Sequence, residues 1–153
     1  MGQRIETRLE ELGLEIPEVF KPVGNYLGCK RVGSLLFVGG HGPVTKNGVI
    51  VGKVGGTVDL ERGREAARAT ALSLLATVRA ELGSLDRVRQ IVKVFGMVNC
   101  APGFNRTPEV IDGCSDLLVA VFGDAGRHTR SAVGMAELPF DIAVEIEVIL
   151  EVD

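Results

Sequence analysis

The chain has 153 residues, 17 Lys and Arg against 20 Asp and Glu, a formal charge of −3 and 46% hydrophobic residues. That length suits one domain, 1–153, able to bury its own core without disulfides or metal. A slightly acidic charge with no basic block speaks against nucleic acid as a partner, and no apolar run reaches the ~18 residues of a membrane span. Three cysteines, Cys29, Cys100 and Cys114, are odd in number and lack metal-ligand spacing. With no signal-peptide pattern at the start, a reducing, cytoplasmic location with free thiols is expected.

In chain order, a short amphipathic helix is expected first, with Ile5, Leu9 and Leu12 on one side and Gly13 stopping it, in an N-terminal helical extension over 1–20. Glycine then dominates: Gly24, Gly28, Gly33, Gly39, Gly40, Gly42, Gly48, Gly52, Gly55 and Gly56 punctuate short apolar runs, which predicts a β-meander with tight turns. Most of these are turn glycines. Gly39-Gly40-His41-Gly42 differs, because it follows the strand-like Leu35-Leu36-Phe37-Val38 directly and lets a ligand or another backbone come close. No GxxxxGK[ST] or GxGxxG pattern accompanies it, so a nucleotide is not indicated.

From Asp59 to Leu82, Ala67, Ala71, Leu74, Leu75, Val78 and Leu82 recur at helical steps, with Asp59 as N-cap and Gly83 as stop. Val88 to Asn99 predicts a strand, Val92, Val94, Gly96 and Val98 alternating against Ile91, Lys93, Phe95 and Met97. A second helix is expected from Thr107 or Pro108 to Phe122, with Val110, Cys114, Leu117, Leu118, Val121 and Phe122 inward and Gly123 ending it. Helices and strands in this order predict an α+β domain: a mixed sheet of four to six strands with both long helices on one face.

The last third carries the chemistry. Arg127-His128-Thr129-Arg130-Ser131-Ala132-Val133-Gly134, then Leu138-Pro139, then the alternating run ending at Val152, predict two strands joined by a bend. On the second, Val144, Ile146, Val148, Leu150 and Val152 share one face, and Glu145, Glu147, Ile149 and Glu151 the other. A face with three carboxylates is either solvated or lines a wet interface. Arg130 and Glu145 on adjacent strands would hold a small carboxylate-bearing molecule and a water beside it; otherwise Arg130 forms a structural ion pair. His128 falls on the same strand face as Arg130. Two histidines with no ligand at metal spacing make a weak metal site, and none is expected.

Gly24-Asn25-Tyr26, Leu36-Phe37-Val38-Gly39-Gly40-His41-Gly42-Pro43, Leu82-Gly83-Ser84-Leu85, and above all Arg130-Ser131-Ala132-Val133 with Leu138-Pro139 and Val144-Glu145-Ile146-Glu147, resemble the reactive-intermediate deaminases, the Rid or YjgF family, in order from about Gly24 to Val152. The resemblance implies a chorismate-mutase-like fold and a homotrimer with three clefts between subunits. It also implies cofactor-free hydrolysis of enamines and imines of the 2-aminoacrylate type to 2-keto acids and ammonia, a defence against metabolite damage. Arg130 would bind the substrate carboxylate and Glu145 hold or activate water, with Glu147 the runner-up. Tyr26 would close the cleft from a neighbouring subunit, and Gly40, His41 and Ala132 would line it.

Three differences place the chain in a side branch. Ala132 stands where the best-studied branch has Cys, Gly39-Gly40-His41 stands where it has Ser-Gly-Gln, and the loop Asn99 to Asn105 is about two residues longer, which leaves that branch's site Asn without a clear counterpart near Asn99. Two other functions use the same residues: a trimeric binder of 2-keto acids without turnover, and the ribonuclease or translation inhibitor by which family members have been labelled.

Overall fold

The computed structural model describes residues 4–153. Its elements are α1 (Arg4–Glu11), β1 (Cys29–Val32), β2 (Leu35–His41), β3 (Val44–Thr45), β4 (Gly48–Val49), α2 (Leu60–Leu82), β5 (Val88–Asn99), α3 (Thr107–Phe122), β6 (Thr129–Met135) and β7 (Val144–Val152). Five strands form one mixed sheet in the order β1-β2-β7-β5-β6, with β5 and β6 parallel and the other pairs antiparallel.

The helices form where sequence periodicity predicts. The Asp59 carboxylate accepts from the Arg62 amide at 2.8 Å, satisfying one free donor of the first turn of α2, and Gly83 ends it in the left-handed conformation at φ 81°. The six apolar positions from Ala67 to Leu82 are all buried. On α3, Val110, Cys114, Leu117, Leu118 and Val121 are buried and Phe122 half-buried. The two helices cross closely at Gly113, where a Cβ would sit 2.2 Å from the Arg64 carbonyl oxygen. Both pack on the sheet face formed by Leu36, Val38, Val94, Val98, Val144, Ile146, Val148 and Leu150.

Three expectations change. The glycine-rich first half is not a continuous meander: β1 and β2 pair, but β2 then pairs with β7, while β3 and β4 make a separate two-stranded ribbon. Alternation breaks in β5, where register shifts between Val88 and Gln90 and between Ile91 and Lys93 turn Ile91 into the core and leave Val92 exposed. The helical part of 1–20 spans Arg4–Glu11, residues 1–3 lying outside the described residues. Ile5 and Leu9 are buried, and Asp86 accepts from the amides of Arg4 and Ile5 at 3.0 and 2.8 Å, which anchors α1 before β5.

Among the described residues, no helix covers the opposite face of the sheet. Phe37, Lys93, Phe95, Glu147 and Ile149 line a depression of about 170 Å³ there.

Candidate functional site

Strand register assigns each predicted site residue to a face, because paired residues on neighbouring strands project to the same side. Arg130 pairs with Val94, which pairs with Val148; both valines are core, so Arg130 roots on the helix side. Ala132 pairs with Gly96 on that side and packs against the core. Glu145 pairs with Met97, and Glu147 with Phe95, on the open side. The expectation of adjacent strands is therefore corrected: β5 lies between β6 and β7, and within one protomer Arg130 and Glu145 stand on opposite faces.

On the open face Glu145 lies against Gly40. A Cβ on Gly40 would come within 2.9 Å of the Glu145 carboxyl carbon, so glycine is what lets the carboxylate fold down over β2. Burial pushes the Glu145 carboxyl above the ordinary carboxylate range, and the neighbouring Glu147 charge adds to it. A half-buried carboxylate so disposed can accept a proton from water more readily than an exposed one.

On the helix side, the Arg130 guanidinium reaches α3. Its Nη1 donates to Asp112 Oδ1 at 2.8 Å and to Ser115 Oγ at 3.2 Å, and the side chain keeps 23% exposure. The Ser115 hydroxyl also meets His128 Nε2 at 2.9 Å, and His128 Nδ1 lies 2.6 Å from the Gly126 carbonyl. Donor bookkeeping sets two of the directions: a carbonyl only accepts, so His128 Nδ1 donates to Gly126, and an arginine only donates, so the Ser115 oxygen accepts from Arg130 while it is hydrogen-bonded to Nε2. His128 and Arg130 thus share one side, as alternation predicts.

His41 does not line a pocket. Its ring is 1% exposed, packs against Phe20 at 4.9 Å, and meets the Gly39 carbonyl at 2.7 Å through Nδ1 and Thr77 Oγ1 at 2.7 Å through Nε2. Burial lowers its pKa below the ordinary histidine value, and the hydrogen bond to the Gly39 carbonyl partly counters that by favouring the protonated ring. Tyr26 stands in the loop before β1, 52% exposed, its ring beside Gly24.

Asn99 is buried and structural. Its amide donates to Asp141 Oδ1 at 2.9 Å and its oxygen accepts from Lys53 Nζ at 2.9 Å, which ties β5 to the bend before β7. The polar side chains beside Arg130 are instead Asp112 and Ser115, which sequence reasoning passed over. Their only signal was a three-residue spacing of polar positions flanking Cys114 on α3. Cys114 itself is an inert core thiol, its pKa pushed up to about 12 by burial despite the nearby Arg130 charge. Among the described residues, no three His, Cys, Asp or Glu side chains gather as a metal site would require. Nor is any described helix long and apolar enough to cross a membrane.

The family model described as “YjgF/chorismate mutase-like, putative endoribonuclease” matches residues 6–151. Protein TCP17 of Trypanosoma cruzi is 39% identical over 98% of this chain and 95% of its own length. The crystal structure of Atu1372 from Agrobacterium tumefaciens is 41% identical, with a TM-score of 0.91 over 98% of this chain and 93% of that one. A “putative endoribonuclease” from Shewanella oneidensis MR-1 is 32% identical, with a TM-score of 0.93 over 97% and 99%. RidA from an Antarctic Psychrobacter, 21% identical with a TM-score of 0.62 over 88% and 94%, shares the fold.

Proposed function

Because the chain belongs to the YjgF/chorismate mutase-like family, we propose that it hydrolyses small 2-imino and enamine acids to 2-keto acids and ammonia, in clefts shared between copies of the chain. The observation that carries this is the placement of a forked cation and a desolvated carboxylate on opposite faces of one sheet, Arg130 rooted on the edge strand β6 and Glu145 on the open face of β7. One protomer cannot bring the two to one small molecule. Two copies can, when the β6 edge of one meets the open sheet face of the next, and a closed ring repeats that contact with no face left over.

In such a cleft the guanidinium fork binds the planar carboxylate bidentately, which a lysine would not do. An enamine first gains a proton at C3 and loses one from nitrogen to the surrounding water, which makes it the imine. Glu145 of the other copy then takes a proton from water as the oxygen bonds to C2, and the imine nitrogen is protonated. Collapse of the carbinolamine breaks the C–N bond and releases ammonia. Gly40 leaves room for Glu145 to hold that water, and Tyr26 is exposed and free to cover the cleft.

The test follows 2-aminoacrylate or 2-iminobutyrate generated in situ by an amino-acid dehydratase. Wild type shortens the lifetime. Glu145→Gln lowers kcat by about 10²- to 10³-fold, the worth of a positioned general base, while 2-oxobutanoate binding persists. The same variant melts higher at neutral pH: the folded-state pKa of Glu145 is raised, so ionising it as pH climbs through that value costs stability, and glutamine removes the cost. No acceleration by wild type across several imino acids, with 2-oxobutanoate still bound through Arg130, replaces the enzyme with a carboxylate-binding protein. RNA cleavage that survives extensive purification and vanishes in Arg130→Ala would favour the endoribonuclease label instead.

A further inference from the structure

We infer that Asp112 and Ser115 are positioning residues that decide which edge of the Arg130 guanidinium meets a carboxylate, an inference that rests on the clamp role given to Arg130 above. Among the described residues, the hydrogen bonds of Arg130 run through one nitrogen: Nη1 donates to Asp112 Oδ1 at 2.8 Å and to Ser115 Oγ at 3.2 Å. A guanidinium has three donor nitrogens in a plane, and a carboxylate engages two on one edge. With Nη1 held, the edge formed by Nε and Nη2 is the fork left over.

The holding groups are themselves held. Ser115 sits on α3 and is hydrogen-bonded to His128 Nε2, and His128 is fixed through Nδ1–H to the Gly126 carbonyl, in the turn between α3 and β6. Serine cannot swing its oxygen away without losing that bond, so Oγ stays in reach of Arg130. A long, otherwise mobile side chain is thus ordered before ligand arrives, and the ordering cost is not charged to binding. The arrangement has an opposite side: the Asp112 carboxylate repels an incoming anion through space. Orientation and repulsion pull measured affinity in opposite directions, which makes the inference decidable.

The experiment uses the full chain, with Asp112→Ala, Asp112→Asn, Ser115→Ala and, as reference, Arg130→Ala. Titration calorimetry with 2-oxobutanoate gives Kd, and imine turnover at low and high substrate gives KM and kcat separately. Asp112 is exposed on one side of the helix surface, so its variants keep the fold. Asp112→Ala raises Kd and KM by about tenfold, the loss of one charge-assisted hydrogen bond's worth of order at the clamp, with kcat within about twofold. Asp112→Asn recovers part of the loss, since its amide oxygen still accepts from Nη1, and Ser115→Ala shows a smaller rise. Unchanged or tighter binding in Asp112→Ala, while Arg130→Ala abolishes binding, overturns the inference and leaves the clamp standing. Binding in Arg130→Ala as tight as wild type removes the clamp, and the inference with it.

Discussion

The two histidines of this protein are wired alike and work in different surroundings. Each places Nδ1 on the carbonyl two residues before it, Gly39 for His41 and Gly126 for His128, and each places Nε2 on a helix hydroxyl, Thr77 of α2 or Ser115 of α3. At His41 the chain of bonds ends there, under Phe20 and out of water. At His128 it continues through Ser115 to Arg130 and Asp112, at the half-exposed edge of the sheet. Identical local bonding serves packing at one place and positions a charged side chain at the other. The difference lies in what the hydroxyl touches next.

Four changes break or sharpen that comparison. The largest effect is expected at the end of the His128 chain: Arg130→Ala lowers kcat/KM for 2-iminobutyrate by about 10³-fold, since a bidentate charged contact to the carboxylate is lost. Steady-state imine decay measures it, with circular dichroism to show the fold retained. Next, His41→Ala lowers unfolding stability by about 2–4 kcal/mol, because it opens a cavity and strands the buried Thr77 hydroxyl. Chemical denaturation measures that loss, and kcat at 25 °C stays near wild type.

The third change is pH. His41 has a depressed folded-state pKa, so below its ordinary value of 6.5 the unfolded chain takes up a proton that the folded chain refuses. Stability from this group is full above pH ~6.5 and falls as the pH drops below it, with a slope approaching about 1.4 kcal/mol per unit until the folded ring also protonates. Denaturant melts between pH 7.5 and 5 should show that slope, and it should be missing in His41→Leu. The smallest effect is His128→Ala, which costs less than about 1 kcal/mol of stability at its half-exposed site. That variant is sharper in binding: loss of the bond orienting Ser115 weakens 2-oxobutanoate by a few-fold.

Much of this molecule was legible in its residues, and the limits were physical. Helices α2 and α3 and the faces of β7 followed from local periodicity and capping, which the tertiary structure keeps. Strand order did not, because β5 enters between β6 and β7 through pairings far apart in sequence, and that insertion puts Arg130 and Glu145 on opposite faces. Alternation misplaced Val92, since bulges that skip a residue leave no mark in composition. His41 was expected in the pocket because the family resemblance puts Gly39-Gly40-His41 at the ligand-lining turn; in the structure Phe20, carried by a segment without regular structure, packs over it. Asp112 and Ser115 gain meaning only once α3 lies beside β6.

The central claim, that Arg130 and Glu145 act together only across two copies of the chain, is tested most directly by complementation. Arg130→Ala and Glu145→Gln chains, each inactive alone, are co-expressed with different tags and the mixed assemblies isolated. In a closed ring of three, any mixture of the two pairs an intact Arg130 with an intact Glu145 at one junction, so about a third of wild-type activity should return. Mixed assemblies as inactive as either parent, or a solution mass of a single chain for active wild type, would contradict the shared site.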